Sequence, residues 1–103
     1  MYIVNFWHSV PDYAAWKSMF DSDPLGRESS GVRRYSIERP AGNEQMVVGH
    51  LEFETLGEAE AFARRLEGVW KGPASQVVAD SGQNISEKLE EKELGGQAGR
   101  RAA

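Results

Sequence analysis

Residues 2–20 read YIVNFWHSVPDYAAWKSMF. Tyr2 to Val10 are rich in β-branched and aromatic side chains, and Pro11 then removes a backbone N–H and fixes φ, which ends strand pairing. The stretch 2–10 therefore reads as a strand. Pro11 suits a first helical turn and Asp12 the positive end of the helix dipole, after which Tyr13, Trp16 and Phe20 recur at i, i+3 and i+7 with Met19 beside them. That spacing predicts an amphipathic helix of about three turns, ending near Asp23 and Pro24.

Downstream, 24–31 (PLGRESSG) is a loop by composition. Residues 32–39 alternate, with Arg33, Tyr35, Ile37 and Arg39 on one side and Val32, Arg34, Ser36 and Glu38 on the other. A turn at Pro40, Ala41, Gly42 and Asn43 leads into 45–54, where Val47, Gly49, Leu51 and Phe53 oppose Met46, Val48, His50, Glu52 and Glu54. The two runs predict an antiparallel hairpin. Thr55 and Glu58 form a capping box ahead of the apolar stripe Leu56, Ala59, Phe62, Ala63 and Leu66, so a second helix follows and stops before Gly72-Pro73.

The remainder is less patterned. Ala74 to Ala79 suit a short helical turn. In 85–94 (ISEKLEEKEL) the Glu/Lys content favours helix, whereas Ile85, Glu87, Leu89, Glu91 and Glu93 also share one face of a strand. The strand reading is preferred, because β-α-β-β-α wants a fourth strand beside the first. The expected architecture is α+β: a ferredoxin-like β-α-β-β-α-β domain over 1–94, with two helices on one face of a four-stranded antiparallel sheet. Residues 95–103 (GGQAGRRAA) carry no pattern and read as a disordered tail.

Composition limits the function. The chain has 103 residues, enough for one domain, and all ten aromatics lie within the first 70 positions. It has no Cys, which removes disulfides, thiolate metal sites and cysteine nucleophiles. A net charge of −4 opposes binding to nucleic acid or anionic lipid, and no segment approaches the length of a membrane span. Cytoplasmic residence is the expectation. So small a domain with an uncovered sheet face bearing Ile3, Trp7, Met46 and Val48 is expected to bury that face against a second copy.

The segment His8-x-Val10-x-Asp12-Tyr13-x-x-Trp16-Lys17-x-x-Phe20-Asp21, the hairpin end Leu51-Glu52-Phe53-Glu54 and the helix bearing Glu58-Ala59-x-Ala61-Phe62 carry a resemblance. They resemble the dimeric α/β-barrel superfamily, in its antibiotic biosynthesis monooxygenase-like and cyclase families, over residues 1–94. The resemblance implies a homodimer whose two sheets face each other, with a pocket between sheet and helices or inside the barrel. Its members include cofactor-independent monooxygenases of aromatic polyketides, haem-degrading enzymes, lactone isomerases and stress-induced proteins. Haem-degrading members pair an Asn with a Trp and a His ligand; Asn5 fits the first element, but Trp70 follows a helix and no His comes after it.

Strand parity places Asn5 and Trp7, Arg34, and His50 and Glu52 on the face away from the helices. An imidazole, an amide, an indole and a guanidinium converging in a partly apolar cavity make a small-ligand site. His50 in mid-strand is the first candidate base, and hydrogen bonding across the interface or to Glu52 is its structural alternative. His8, at the end of the first strand on the face of Phe6 and Val10, is the second candidate, lining a pocket mouth. Trp70 is a pocket lid or a core plug. Arg34, like Arg33 and Arg39, offers a fork for a carboxylate or phenolate, although such arginines commonly pair with neighbouring carboxylates. No HExxH, phosphate loop, nucleophile elbow or metal cluster occurs, so no cofactor or metal is expected. The resulting expectation is binding of a small, largely apolar aromatic or polyketide-like metabolite, with or without cofactor-independent oxidation or cyclisation. The alternative is a non-catalytic dimeric module, stress-related or ligand-sensing.

Overall fold

The computed structural model describes residues 1–95, and beyond Gly95 the expected tail lies outside the described residues. The chain order is β1 (Tyr2–Ser9), α1 (Tyr13–Asp21), β2 (Arg34–Glu38), β3 (Met46–Phe53), α2 (Leu56–Lys71) and β4 (Ala79–Glu87). The strands form one antiparallel sheet in the order β2-β3-β1-β4. Each helix thus links two strands that flank a third, so two split β-α-β units interlock in a ferredoxin-like fold.

Period-two alternation sorts the strands into two faces. On the inner face Val4, Phe6, Val47, Leu51 and Phe53 are buried together with Val10, Trp16, Ala59 and Phe62. The close approach at the sheet centre needs a glycine: the Phe6 ring occupies the space that a side chain on Gly49, its cross-strand neighbour, would fill.

Caps set the helix starts. Asp12 is the N-cap of α1, accepting from Ala15 N at 3.2 Å, so Pro11 sits one residue ahead of the helix instead of in its first turn. Thr55 caps α2 by accepting from Glu58 N at 3.1 Å. The return half of the expected capping box is not formed, because the Glu58 carboxylate lies against Gly31.

The fourth strand corrects the sequence reading. It spans Ala79–Glu87, six residues ahead of the expected 85–94. The limit is β1 itself: the pairing runs out at Tyr2 with Glu87, and one further bond joins Lys88 N to Met1 O. Leu89, taken as part of a strand face, is 87% exposed, and Leu94, at the end of the expected strand, 78%. The strand's inward positions are filled by Ser81, Gln83 and Ile85, so its sequence lacks the apolar alternation that marks β1 and β3.

Candidate functional site

Between the sheet and the helices lies a cavity of about 50 Å³, lined by His8 with Phe6, Trp16, Phe20, Leu51 and Trp70 among others. Its walls come from β1, α1, β3 and α2, and from the segments that follow each helix. Most of the lining is apolar. The polar lining residues are His8, which is 1% exposed, and Asp23 and Arg27 from the segment after α1. The His8 ring sits 5.1 Å from Phe6, 5.7 Å from Trp16 and 5.4 Å from Trp70, centroid to centroid. Burial among these rings disfavours the charged form and lowers its pKa to about 4. The imidazole is therefore neutral at physiological pH.

A bulge in β4 faces His8. Trp7 pairs with Gly82 and Ser9 with Ala79, so Asp80 and Ser81 together oppose the single residue His8. Asp80 takes the left-handed conformation, φ 52°, and Ser81 Oγ comes to 3.4 Å from His8 Nδ1. The other ring nitrogen, Nε2, is buried without a hydrogen-bond partner. Such a group costs about 1–3 kcal/mol when left unmet, and it borders the cavity.

The opposite face is polar along its middle and is closed by its own contacts. Asn5 pairs with His50 and Asn84, and His50 with Ser36, as one row across the sheet. Asn5 Nδ2 donates to Asn84 Oδ1 at 2.9 Å and to Ser86 Oγ at 3.1 Å, which turns Asn5 Oδ1 to the His50 Nδ1 2.7 Å away. His50 Nε2 lies 3.3 Å from Glu38 Oε1. Both ring nitrogens of His50 thus face oxygen acceptors, and only the protonated ring donates to both. One row further, Glu52 stands between Arg34, at 3.6 Å, and Lys88, at 3.2 Å. Lys88 also meets Glu91 at 2.9 Å, and the Glu91 and Glu52 carboxylates together hold its ammonium above the ordinary value. Trp7 lies across the backbone of Gly82, where a side chain would collide with the indole.

The seven candidate residues therefore fall into two groups. His8 and Trp70 meet in the inner cavity; Asn5, Trp7, Arg34, His50 and Glu52 share the outer face. The two imidazoles never meet, because their strand positions have opposite parity. Trp16 and Phe20, read as core, also wall the cavity. Ser81 and Arg27 were missed: Ser81 belongs to a strand with no apolar alternation, and Arg27 lies in a loop recognised only by its turn-forming composition. Among the described residues no three His, Asp or Glu side chains cluster in a way that would hold a metal ion.

Comparison with solved structures settles the fold. The chain superposes on a Deinococcus radiodurans protein assigned as an antibiotic biosynthesis monooxygenase with a TM-score of 0.69, at 17% identity, covering 93% of this chain and 100% of that one. Its fold is that of the antibiotic biosynthesis monooxygenase-like proteins. A variant of SnoaB, a cofactor-independent oxygenase from Streptomyces nogalater, superposes at a TM-score of 0.63 with 16% identity, covering 87% of this chain and 93% of that one. A dimeric ferredoxin-like protein from an uncultured marine organism gives 0.61 with 19% identity, covering 90% and 97%. No protein-family profile and no curated protein matches the chain. This monooxygenase-like fold hosts many chemistries, so the site has to carry the functional argument.

The Asn, Trp and His set that the sequence resemblance implies for haem is not assembled by these residues. Asn5 points to the outer face, bound to Asn84 and Ser86, and no His follows Trp70.

Proposed function

We propose that the chain binds a small, largely apolar aromatic or polyketide-like molecule in the cavity between sheet and helices. The observation that carries this reading is His8 Nε2, a buried nitrogen with no partner inside an aromatic-walled pocket. With Nδ1–H donating to Ser81 Oγ, Nε2 presents a lone pair to the cavity, and a phenolic or enolic hydroxyl of the ligand fills it. A base with a pKa near 4 is weak. Its best substrates are therefore acidic hydroxyls, such as enols conjugated with carbonyl groups, whose proton passes to Nε2 as the neighbouring carbon becomes nucleophilic. That carbon then reacts with dioxygen or closes a ring, without a bound cofactor. The cavity has room for only a few water-sized groups, so a ligand with a ring displaces the Trp70 lid as it enters.

His50 is in this reading a structural residue, pinned between Asn5 and Glu38, although the sequence placed it first. The outer face is proposed to pair with a second copy. Ile3, Trp7, Met46 and Val48 are only half-buried on it, and at its centre Asn5 is hydrogen-bonded within the sheet to Asn84, Ser86 and His50, while Glu52 Oε1 is buried without a hydrogen-bond partner. The solved dimeric ferredoxin-like protein with this fold supports that reading.

The test is to incubate the protein in air with a panel of anthrone-type and quinol-type acids and to follow product masses. A gain of oxygen or loss of water in one substrate, reduced about 100-fold or more by His8→Gln and unaffected by His50→Gln, is the expected result. Equal turnover in both variants removes the imidazole base. The small cavity favours one further reading, a non-catalytic ligand-sensing or stress-related module, for which ligands bind and no product forms with any substrate.

A further inference from the structure

We propose that the occupant of the His8 cavity carries an anionic end group, a carboxylate or an equally acidic enolate, held by Arg27 at the cavity mouth. The inference rests on the reading that the cavity is a ligand site, and it names the class of ligand.

Arg27 belongs to the loop after α1, and its side chain is only 17% exposed. Its guanidinium carbon lies over the Phe20 ring, 4.0 Å from the centroid, with the Tyr35 ring 5.0 Å away on β2. Nη1 donates to Phe20 O at 2.7 Å. These contacts fix a charged group at the edge of an apolar pocket, and both Arg27 and Phe20 line that pocket. The same arginine also lines a wide outer basin formed with Asp23, Glu28, Val32, Arg33, Arg34 and Tyr35. Arg27 is thus the gatepost between an apolar interior and a basin holding three arginines and two acids, on a chain whose net charge is −4.

The pairing of these charges decides which arginine acts. Arg33 is 3.4 Å from Glu54 and Arg34 is 3.6 Å from Glu52, and both arginine side chains are more than half exposed. Solvent screens such exposed groups, which sets them apart from the desolvated guanidinium of Arg27. Arg27 has one carboxylate close by, Asp23, with Nη1 3.5 Å from Oδ1, longer than a charge-assisted hydrogen bond. That Asp23 oxygen already accepts from Arg27 N at 2.9 Å, which ties it to the loop backbone. The loop is held so that Asp23 takes φ 57°, a conformation Asp and Asn adopt more readily than most side chains. An arginine fixed by stacking and left short of a full bidentate partner presents its fork to a ligand anion at little cost in side-chain entropy. A ligand whose ring enters beneath Trp70 with its hydroxyl on His8, and whose carboxylate stays at the mouth on Arg27, meets both of these polar groups.

The test uses two matched probes, 6-hydroxy-2-naphthoate, whose hydroxyl and carboxylate lie at opposite ends of the ring system, and its neutral methyl ester, titrated against the intact protein and followed by calorimetry. The expected result is that the carboxylate binds roughly tenfold tighter than the ester. Arg27→Gln abolishes that preference, and Asp23→Asn, which removes the competing charge but keeps a residue that tolerates the left-handed conformation, widens it. Equal affinity of the two probes in the wild type, or an unchanged preference in Arg27→Gln, overturns the proposal and leaves the pocket reading standing. Binding of neither probe overturns the pocket reading and the proposal with it. Circular dichroism and the melting temperature show whether Arg27→Gln is folded; if it is not, Asp23→Asn alone decides, a preference no wider than in the wild type counting against Arg27.

Discussion

The imidazole of His8 meets the indole of Trp70 edge-on, their ring centroids 5.4 Å apart and their planes at 88°. This contact joins the end of β1 to the last turn of α2 and leaves one imidazole nitrogen facing a cavity and the other facing Ser81.

Acid should destabilise the protein through this group. The ordinary value for His8 is 6.5, and burial lowers it to about 4 in the folded chain. Between those values the unfolded chain binds a proton that the folded chain refuses, so stability falls as pH falls through this window. From pH 7 to pH 5 the loss from His8 is about 2 kcal/mol. In urea unfolding followed by tryptophan fluorescence, His8→Phe is expected to lose about 2 kcal/mol less than the wild type over the same interval. Equal losses would show that the imidazole titrates freely in the folded state.

The sheet centre should not accept a side chain at residue 49. Gly49→Ala places a methyl group in the space of the Phe6 ring and is expected to cost about 1–3 kcal/mol, lowering the melting temperature by several degrees. In a Phe6→Leu background the same substitution should cost less, since the ring that it strikes is gone. A double-mutant cycle measures this coupling, and additive effects would contradict the contact.

Pairing of two copies through the outer face predicts a sedimentation mass of twice the 11.4 kDa chain at micromolar concentration. Val48→Lys and Trp7→Glu place charges in the apolar row of that face and should give monomers that keep their circular dichroism spectrum. A wild-type mass near that of one chain would remove the proposed dimer and leave the inner cavity unaffected.

The start of α2 rests on one hydroxyl. Thr55→Ala removes the acceptor for Glu58 N and is expected to cost about 1 kcal/mol, read as a lower urea midpoint with an unchanged slope. Thr55→Ser should restore most of the loss.

Much of the site's geography was legible because strand parity is a local property. Once 2–10 and 45–54 read as strands, Asn5 and Trp7 had to share one face of the first with His8 on the other, and His50 and Glu52 one face of the second; packing both apolar sets against the helices then aligned the two strands. Local sequence held no information about which face contains the cavity. The ranking of the two histidines depends on it: in sequence His50 stands among alternating residues in mid-strand, and only the fold shows both its nitrogens facing oxygen acceptors.

β4 marks the boundary most clearly. Its residues Ala79–Glu87 have weak strand preference and polar inward positions, so the element exists because β1 has an open edge and the chain after α2 returns beside it. The bulge that aims Ser81 at His8 joins residues far apart in the chain. The amino-acid sequence determined the two helices, the three leading strands and the faces of their side chains, because 3.6- and 2-residue periodicities act over neighbouring residues. Tertiary structure decided the fourth strand, the cavity and the isolation of His8 Nε2, because each depends on contacts closed between distant segments.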